Sequence, residues 1–489
     1  MRANESNTFQ ISKYDVWRVT GDAQAAAQIY FTKQNMVPYN GPTIGALSEY
    51  IIGPYIDDTF MYVEVSAGNV TVEKVRGMDA RPLPLQDYTA KNRKTVSQHG
   101  IYNLNADTLR VIRSAIADVM SGAARASVAL MGTSTFTPNA AGTGSNGWVG
   151  AQALGIGACL KRIGRAMGIN VRDDNWFGDH KITGSLLDDY DPRWNAHDAA
   201  WGPTGNSDQN TLGGDRYRNN TNANNTALRW TPEFAANTID FYDHLVSSGP
   251  TGAIQLSVGG TLTSGVPTGE TNLGAALTQN MGGSNQVVYQ KTTRTTALAA
   301  AIQAFNIKRT AAGAATVYVC GFDLYDSALP DLSIKNMAQS GASMQILAQD
   351  ANSYNPLQAL TIVDPRILVV EGGINDRNGV SQITSSEFGF FLDKIVRARN
   401  IANRSVIVMA PPETNPNAGG TYASTSKQDE FNEVGRKVAL DNGVIYIDTP
   451  EIMGRWSAMN ARGQTADDAH MNKSGLMMAA RALANVLYG

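Results

Sequence analysis

Along the 489 residues, the types most able to do acyl-transfer chemistry are Ser134, His470 and two adjacent acids, Asp467 and Asp468. A serine hydroxyl is a poor nucleophile at neutral pH and needs a base to take its proton. His470 is the candidate base, because a nearby carboxylate can bond its other ring nitrogen, fix the tautomer and stabilise the imidazolium. Asp467 and Asp468 compete for that role. Ser134 follows the apolar, strand-length run Val128-Ala129-Leu130-Met131, and Gly132 allows a tight bend before it. A serine placed there lies at the C-terminal end of a strand, where open α/β folds carry their chemistry. Taken singly, each residue has a commonplace reading: a turn serine, a capping or core histidine, a surface acid.

Their weight comes from four blocks in order. Gly132-Thr133-Ser134 is the first. Asn336-Met337-Ala338-Gln339-Ser340-Gly341 follows the strand-like Leu332-Ser333-Ile334, and Gly373-Ile374-Asn375-Asp376 follows the strand Ile367-Leu368-Val369-Val370. Asp467-Asp468-Ala469-His470 precedes a C-terminal helix. Together these resemble the SGNH (GDSL-type) hydrolase family. That family has Gly-Asp-Ser in its first block, whereas this chain has Thr133 in place of the acid. The resemblance implies a three-layer α/β/α domain around a parallel sheet, with Ser134 as nucleophile, His470 as base and Asp467, by spacing, as the orienting acid. It also assigns the oxyanion donors: the N–H of Ser134, the N–H of Gly341 and the side-chain amide of Asn375. No cofactor is implied.

The elements around these blocks fit that expectation. A helix capped by Asn105 or Asp107 is expected through Met120, then the nucleophile strand, a loop over 138–147 and a helix from about Trp148 to Met167. Downstream, strands at 367–370, 406–409 and 444–448 alternate with helices at about 385–400, 426–441 and 473–487, the sequence sign of a parallel sheet covered on both faces. Between Ser134 and Gly341 lie about 200 residues, far more than a connection needs, so a module is inserted. Strand-like runs at 238–242, 253–258, 286–289 and 315–320, with a weaker one at 302–307, predict a β-sandwich there, similar to inserts in phage-type and carbohydrate-active esterases of the family. Residues 60–65 and 70–75 around Gly68-Asn69 predict a hairpin in a β-rich N-terminal part, followed by a linker at 81–85 and 91–94. The expected domains are 1–95 for packing or attachment, 105–170 with 327–489 as the catalytic α/β domain, and 171–326 as the insert.

Composition narrows the partners. A net charge of −3 with no basic cluster argues against nucleic acid, and no apolar span is long enough to cross a bilayer. Cys159 and Cys320 are expected as buried thiols, and the polar N-terminus lacks a signal-peptide core. His99, His180, His197 and His244 lack metal-ligand spacing, which leaves no metal site expected. Asp188-Asp189-Tyr190-Asp191 reads as a solvated acidic turn ahead of a calcium site, and no phosphate-binding glycine loop is present. Trp176, Trp194, Trp201 and Trp230 fall in the polar insert, where their faces could stack on sugar rings or fill its core. With no apolar lid for long chains, a small acyl group, most simply acetyl on a polysaccharide, is the expected substrate. The polar composition suits an extracellular or virion-associated protein such as a phage tail deacetylase. Alternatives are a secreted bacterial carbohydrate esterase and a non-catalytic glycan-binding adhesin. A homotrimer would suit a tail protein, though no heptad repeat supports one.

Overall fold

A computed structural model describes residues 100–489 except 138–149, 179–189, 198–200, 204–210, 215–216, 220–225, 246–251, 280–287, 311–315, 379–381 and 419–424; before residue 100 it describes 6–11, 16–22, 26–32, 39–44, 49–52, 59–67 and 70–76. The expected linker, the loop at 138–147, His99, His180, Asp188 and Asp189 lie outside the described residues. The chain divides into two compact units, Met1–Lys91 and Asn92–Gly489.

In the smaller unit the expected strands form, but not as a hairpin. Thr59–Ala67 pairs with Ser6–Ile11 and Ala26–Thr32, while Val70–Arg76 pairs with Val16–Gly21 in a different sheet. The turn signal therefore marks a passage between two sheets.

The larger unit is built on a seven-stranded sheet of described strands. Its members are β1 (Ile101–Tyr102), β2 (Ala126–Met131), β3 (Val171–Arg172), β4 (Leu332–Asn336), β5 (Ile367–Glu371), β6 (Ser405–Met409) and β7 (Ile445–Ile447), in the spatial order β3-β4-β2-β5-β6-β7-β1. All pairings are parallel except that of β1 with β7. The central strands β2, β5 and β6 are mainly apolar on both faces, as a sheet covered on both sides requires. Val128 and Leu130 join one core with Ile367, Val369 and Ile407; Ala129 and Met131 join the other with Leu368, Val370 and Val408. Helices α1 (Ala106–Met120), α2 (Ile156–Ala166) and α5 (Lys473–Leu487) cover the first face, while α3 (Ser385–Arg399) and α4 (Thr425–Asp441) cover the second. The result is three α/β/α layers.

Local signals set the helix ends. Asn105 caps α1 through the N–H groups of Asp107 and Thr108, and Thr108 returns the bond in a capping box. Thr384 and Glu387 do the same for α3. The helix expected from Trp148 begins only at Ile156, because a one-turn 3₁₀ segment, Ala151–Leu154, ends at Gly155.

Between β3 and β4 the described residues build three antiparallel sheets. One contains Asn175–Phe177, Gly321–Tyr325, Thr238–Leu245 and Val288–Thr295; another centres on Ala227–Trp230, Phe305–Arg309 and Ala253–Thr263. Ile239, Phe241 and Phe322 from the first and Leu228, Ile254, Leu256, Phe305 and Ile307 from the second share one apolar core. Buried ion pairs join these sheets to the parallel sheet: Lys335 on β4 and Arg125 before β2 both bind Asp323, at 3.0 and 3.3 Å. Cys159 and Cys320 are buried free thiols. Among the described residues no helix is long and apolar enough to cross a membrane.

Candidate active site

The order β4-β2-β5 reverses the direction of winding at β2, since the chain runs from β2 outward to β4 and then returns to β5. The crevice beyond the C-terminal ends of β2 and β5 is therefore the topological switch point, where such sheets bind ligands. Gly132-Thr133-Ser134 leaves β2 there, and Gly372-Gly373 leaves β5. A bond from Gln339 N–H to Gly132 O (2.9 Å) ties the loop after β4 to the same place.

Ser134 is 8% exposed on this turn. Its Oγ lies 3.0 Å from His470 Nε2, and His470 Nδ1 lies 2.8 Å from Asp467 Oδ2. Asp467 Oδ1 accepts the backbone N–H groups of Ala469 (2.7 Å) and His470 (2.6 Å), so both carboxylate oxygens are engaged. Partial burial pushes the Asp467 pKa upward, but the hydrogen bond and charge of His470 and those two N–H groups outweigh it and hold it at about 2. An ionised carboxylate only accepts, so His470 Nδ1 must donate. That leaves Nε2 with its lone pair toward the Ser134 hydroxyl. Asp468 points elsewhere: its Oδ1 accepts from Asn415 Nδ2 and its carbonyl accepts from Asn415 N–H, both at 2.7 Å. The rival acid instead pins the histidine loop to the loop after β6.

The loops that carry the expected oxyanion donors are bonded to one another. Gly341 adopts φ +76°, which a glycine takes readily. Among the described residues neither its N–H nor that of Ser134 has an acceptor in the protein. Asn375, on a short helical turn at Ile374–Asn378, donates one amide hydrogen to Ala342 O at 2.8 Å and keeps a second. Asp376 braces both loops, accepting from Met344 N–H at 2.7 Å and Gly373 N–H at 3.0 Å. Burial raises its pKa to about 6, against the pull of those two donors. A serine, base and acid in contact, with N–H donors on the adjoining loops unpaired among the described residues, can open an ester through a tetrahedral intermediate.

Residues 321–476 match the family model described as the GDSL-like Lipase/Acylhydrolase family. That segment is a GDSL-like hydrolase domain. The matched segment carries three of the four blocks; Ser134 stands before it, across the inserted sheets. Among solved structures the chain is similar in fold to a peptidoglycan O-acetylesterase, at 15% identity and TM-score 0.53 over 79% of this chain and 97% of that one. Two further likenesses are short: an acetyl-xylooligosaccharide esterase from Geobacillus stearothermophilus (18% identity, TM-score 0.27, 32% of this chain and 74% of that one) and a carbohydrate acetylesterase family member from Sinorhizobium meliloti (13%, 0.26, 32% and 78%). No curated protein matches.

Two sequence expectations need correction. Trp176, Trp194, Trp201 and Trp230 present no face to a sugar: they are 1–3% exposed within the shared core of the inserted sheets, where Trp194 and Trp230 pack edge to face at 4.9 Å. The acidic turn is not solvated at Asp191, which is buried and held by Arg193 at 2.7 Å. Sequence reasoning also missed Asn415, which no motif marks. It missed Glu371 too, whose carboxylate lies under the nucleophile turn; its one signal was a lone acid closing the apolar run of β5.

Proposed function

We propose that the protein is a serine esterase that removes short acyl groups, most simply O-acetyl, from a polysaccharide. The observation that carries this is the paired contact of His470, Nε2 to Ser134 Oγ at 3.0 Å and Nδ1 to Asp467 at 2.8 Å. In this reading Ser134 attacks the ester carbonyl while His470 takes its proton. Asp467 stabilises the imidazolium, and the N–H groups of Ser134 and Gly341 with the Asn375 amide receive the oxyanion. His470 then protonates the departing sugar oxygen to release it as a hydroxyl, and water, deprotonated by His470, attacks the acyl-serine to free the acid. Fold similarity to a peptidoglycan O-acetylesterase supports the acyl-group assignment.

Residues 105–170 with 327–489 form the catalytic domain in this proposal, and 171–326 an inserted β-sandwich. Residues 1–95 serve attachment to a larger assembly, as in a phage tail protein that deacetylates a bacterial surface glycan outside the cell. Labelling by a fluorophosphonate probe, abolished in Ser134→Ala, tests the nucleophile and separates an enzyme from a glycan-binding adhesin. Hydrolysis of p-nitrophenyl acetate without hydrolysis of the palmitate ester tests the acyl preference. Acetate release across a panel of O-acetylated bacterial polysaccharides tests the substrate class, and long-chain preference would overturn it.

A further inference from the structure

Glu371 occupies a position that packing alone would fill with a hydrophobe. β5 runs Ile367-Leu368-Val369-Val370, all buried, and ends in this glutamate at 1% exposure, beside Met409 of β6. Burying a carboxylate without a cation is costly, so whatever compensates it must be specific. Here the compensation comes from one loop. Oε2 accepts the N–H of Thr133 and the hydroxyl of Thr133, each at 3.0 Å, and the Thr135 hydroxyl lies 3.0 Å from that of Thr133. Burial drives the Glu371 pKa up, and these donors restrain it. Gly132 makes the approach possible: a Cβ there would lie 2.8 Å from Glu371 Oε2 and 2.9 Å from Phe136 Cδ2.

The residue so held is the immediate neighbour of Ser134, and it stands where the family's first block has an acid. We propose that Glu371 is a positioning residue for Ser134, a carboxylate brought in from the adjacent strand in place of the acid absent at position 133. The proposal rests on Ser134 being the nucleophile. Anchoring the Thr133 N–H fixes the peptide that leads into Ser134, and with it both the hydroxyl facing His470 and the N–H facing the oxyanion. Releasing that anchor lets the turn rotate.

The test compares wild type, Glu371→Leu, Glu371→Gln, Thr133→Val and Ser134→Ala on p-nitrophenyl acetate, with active sites counted by fluorophosphonate titration and folding followed by thermal melting. Glu371→Leu is expected to lower kcat per titrated site on the order of 100-fold, the scale of a misplacement near 1 Å. KM should stay within about twofold, because the loss falls on the transition state. Glu371→Gln, whose amide oxygen accepts the same two donors, should restore most of kcat, and Thr133→Val, losing only the hydroxyl donor, should fall between. Unchanged kcat in folded Glu371→Leu, or Glu371→Gln as impaired as Glu371→Leu, overturns the proposal. If Glu371→Leu does not fold, wild-type kcat in Thr133→Val overturns it. Full activity in Ser134→Ala would instead overturn the nucleophile assignment beneath it.

Discussion

Replacing Asp467 by asparagine sets the hydrogen bonds of the histidine loop against its chemistry. Oδ1 of Asp467 is fixed by two donors, the N–H groups of Ala469 at 2.7 Å and His470 at 2.6 Å. An asparagine must place its carbonyl oxygen there, since its NH2 group cannot accept them. The NH2 then faces His470 Nδ1, which must become the acceptor, and the ring proton moves to Nε2. Ser134 Oγ, 3.0 Å away, is left facing a donor and has no base. The same substitution in serine protease triads lowers turnover by about 10⁴, or about 5 kcal/mol in the barrier. Asp467→Asn should therefore lose on the order of 10⁴ in kcat on p-nitrophenyl acetate. Asp467→Ala, which imposes no tautomer, should retain at least as much activity as the asparagine variant. The carboxylate is half exposed, so melting temperature near neutral pH should change little. A folded Asp467→Asn enzyme within tenfold of wild type, or one clearly more active than Asp467→Ala, would refute the tautomer argument.

Asn375→Ala should lower kcat about 100-fold or more through loss of one oxyanion donor, with little change in melting temperature; equal activity would remove Asn375 from the site. Asp243 has its carboxyl pushed up to about 6 by burial, with a 2.8 Å bond from Gln279 opposing the shift. Its folded pKa exceeds its unfolded one, so the folded state holds more protons between about pH 4 and 6 and stability falls as pH rises through that window. Asp243→Asn should gain on wild type by up to about 3 kcal/mol between pH 4 and pH 7.5 in denaturant titrations, and a flat difference would contradict this. Trp230→Ala should destabilise by about 3–5 kcal/mol while leaving KM for soluble esters unchanged, because its ring fills a core; a selective loss of glycan affinity at intact stability would restore it as a sugar contact.

The parallel sheet and its chemistry were legible because each signal was local. Apolar runs such as Ile367–Val370 mark strands buried on both faces, Thr384 and Glu387 spell a helix start, and the four blocks sit at strand ends. The inserted sheets were harder to delimit. Strands such as Trp201–Pro203 and Tyr217–Asn219 are three residues long, too short for alternation to show, and their tryptophans sit among polar neighbours in sequence while packing inward in space. Thr59–Ala67 and Val70–Arg76 carried a hairpin signal that long-range pairing overrode. Glu371 was invisible as a functional residue because its partner, Thr133, lies 238 positions away.

The spatial order β4-β2-β5 also fixes when the enzyme can exist. β2 leaves the ribosome before the inserted sheets, yet both of its sheet neighbours are synthesised only after them, and His470 emerges later still. The nascent chain must therefore keep an apolar strand unpaired while an entire module forms, a period in which chaperone protection matters. Until the segment that carries His470 docks, the serine has no proton acceptor, so translation products that stop short of it are hydrolytically silent.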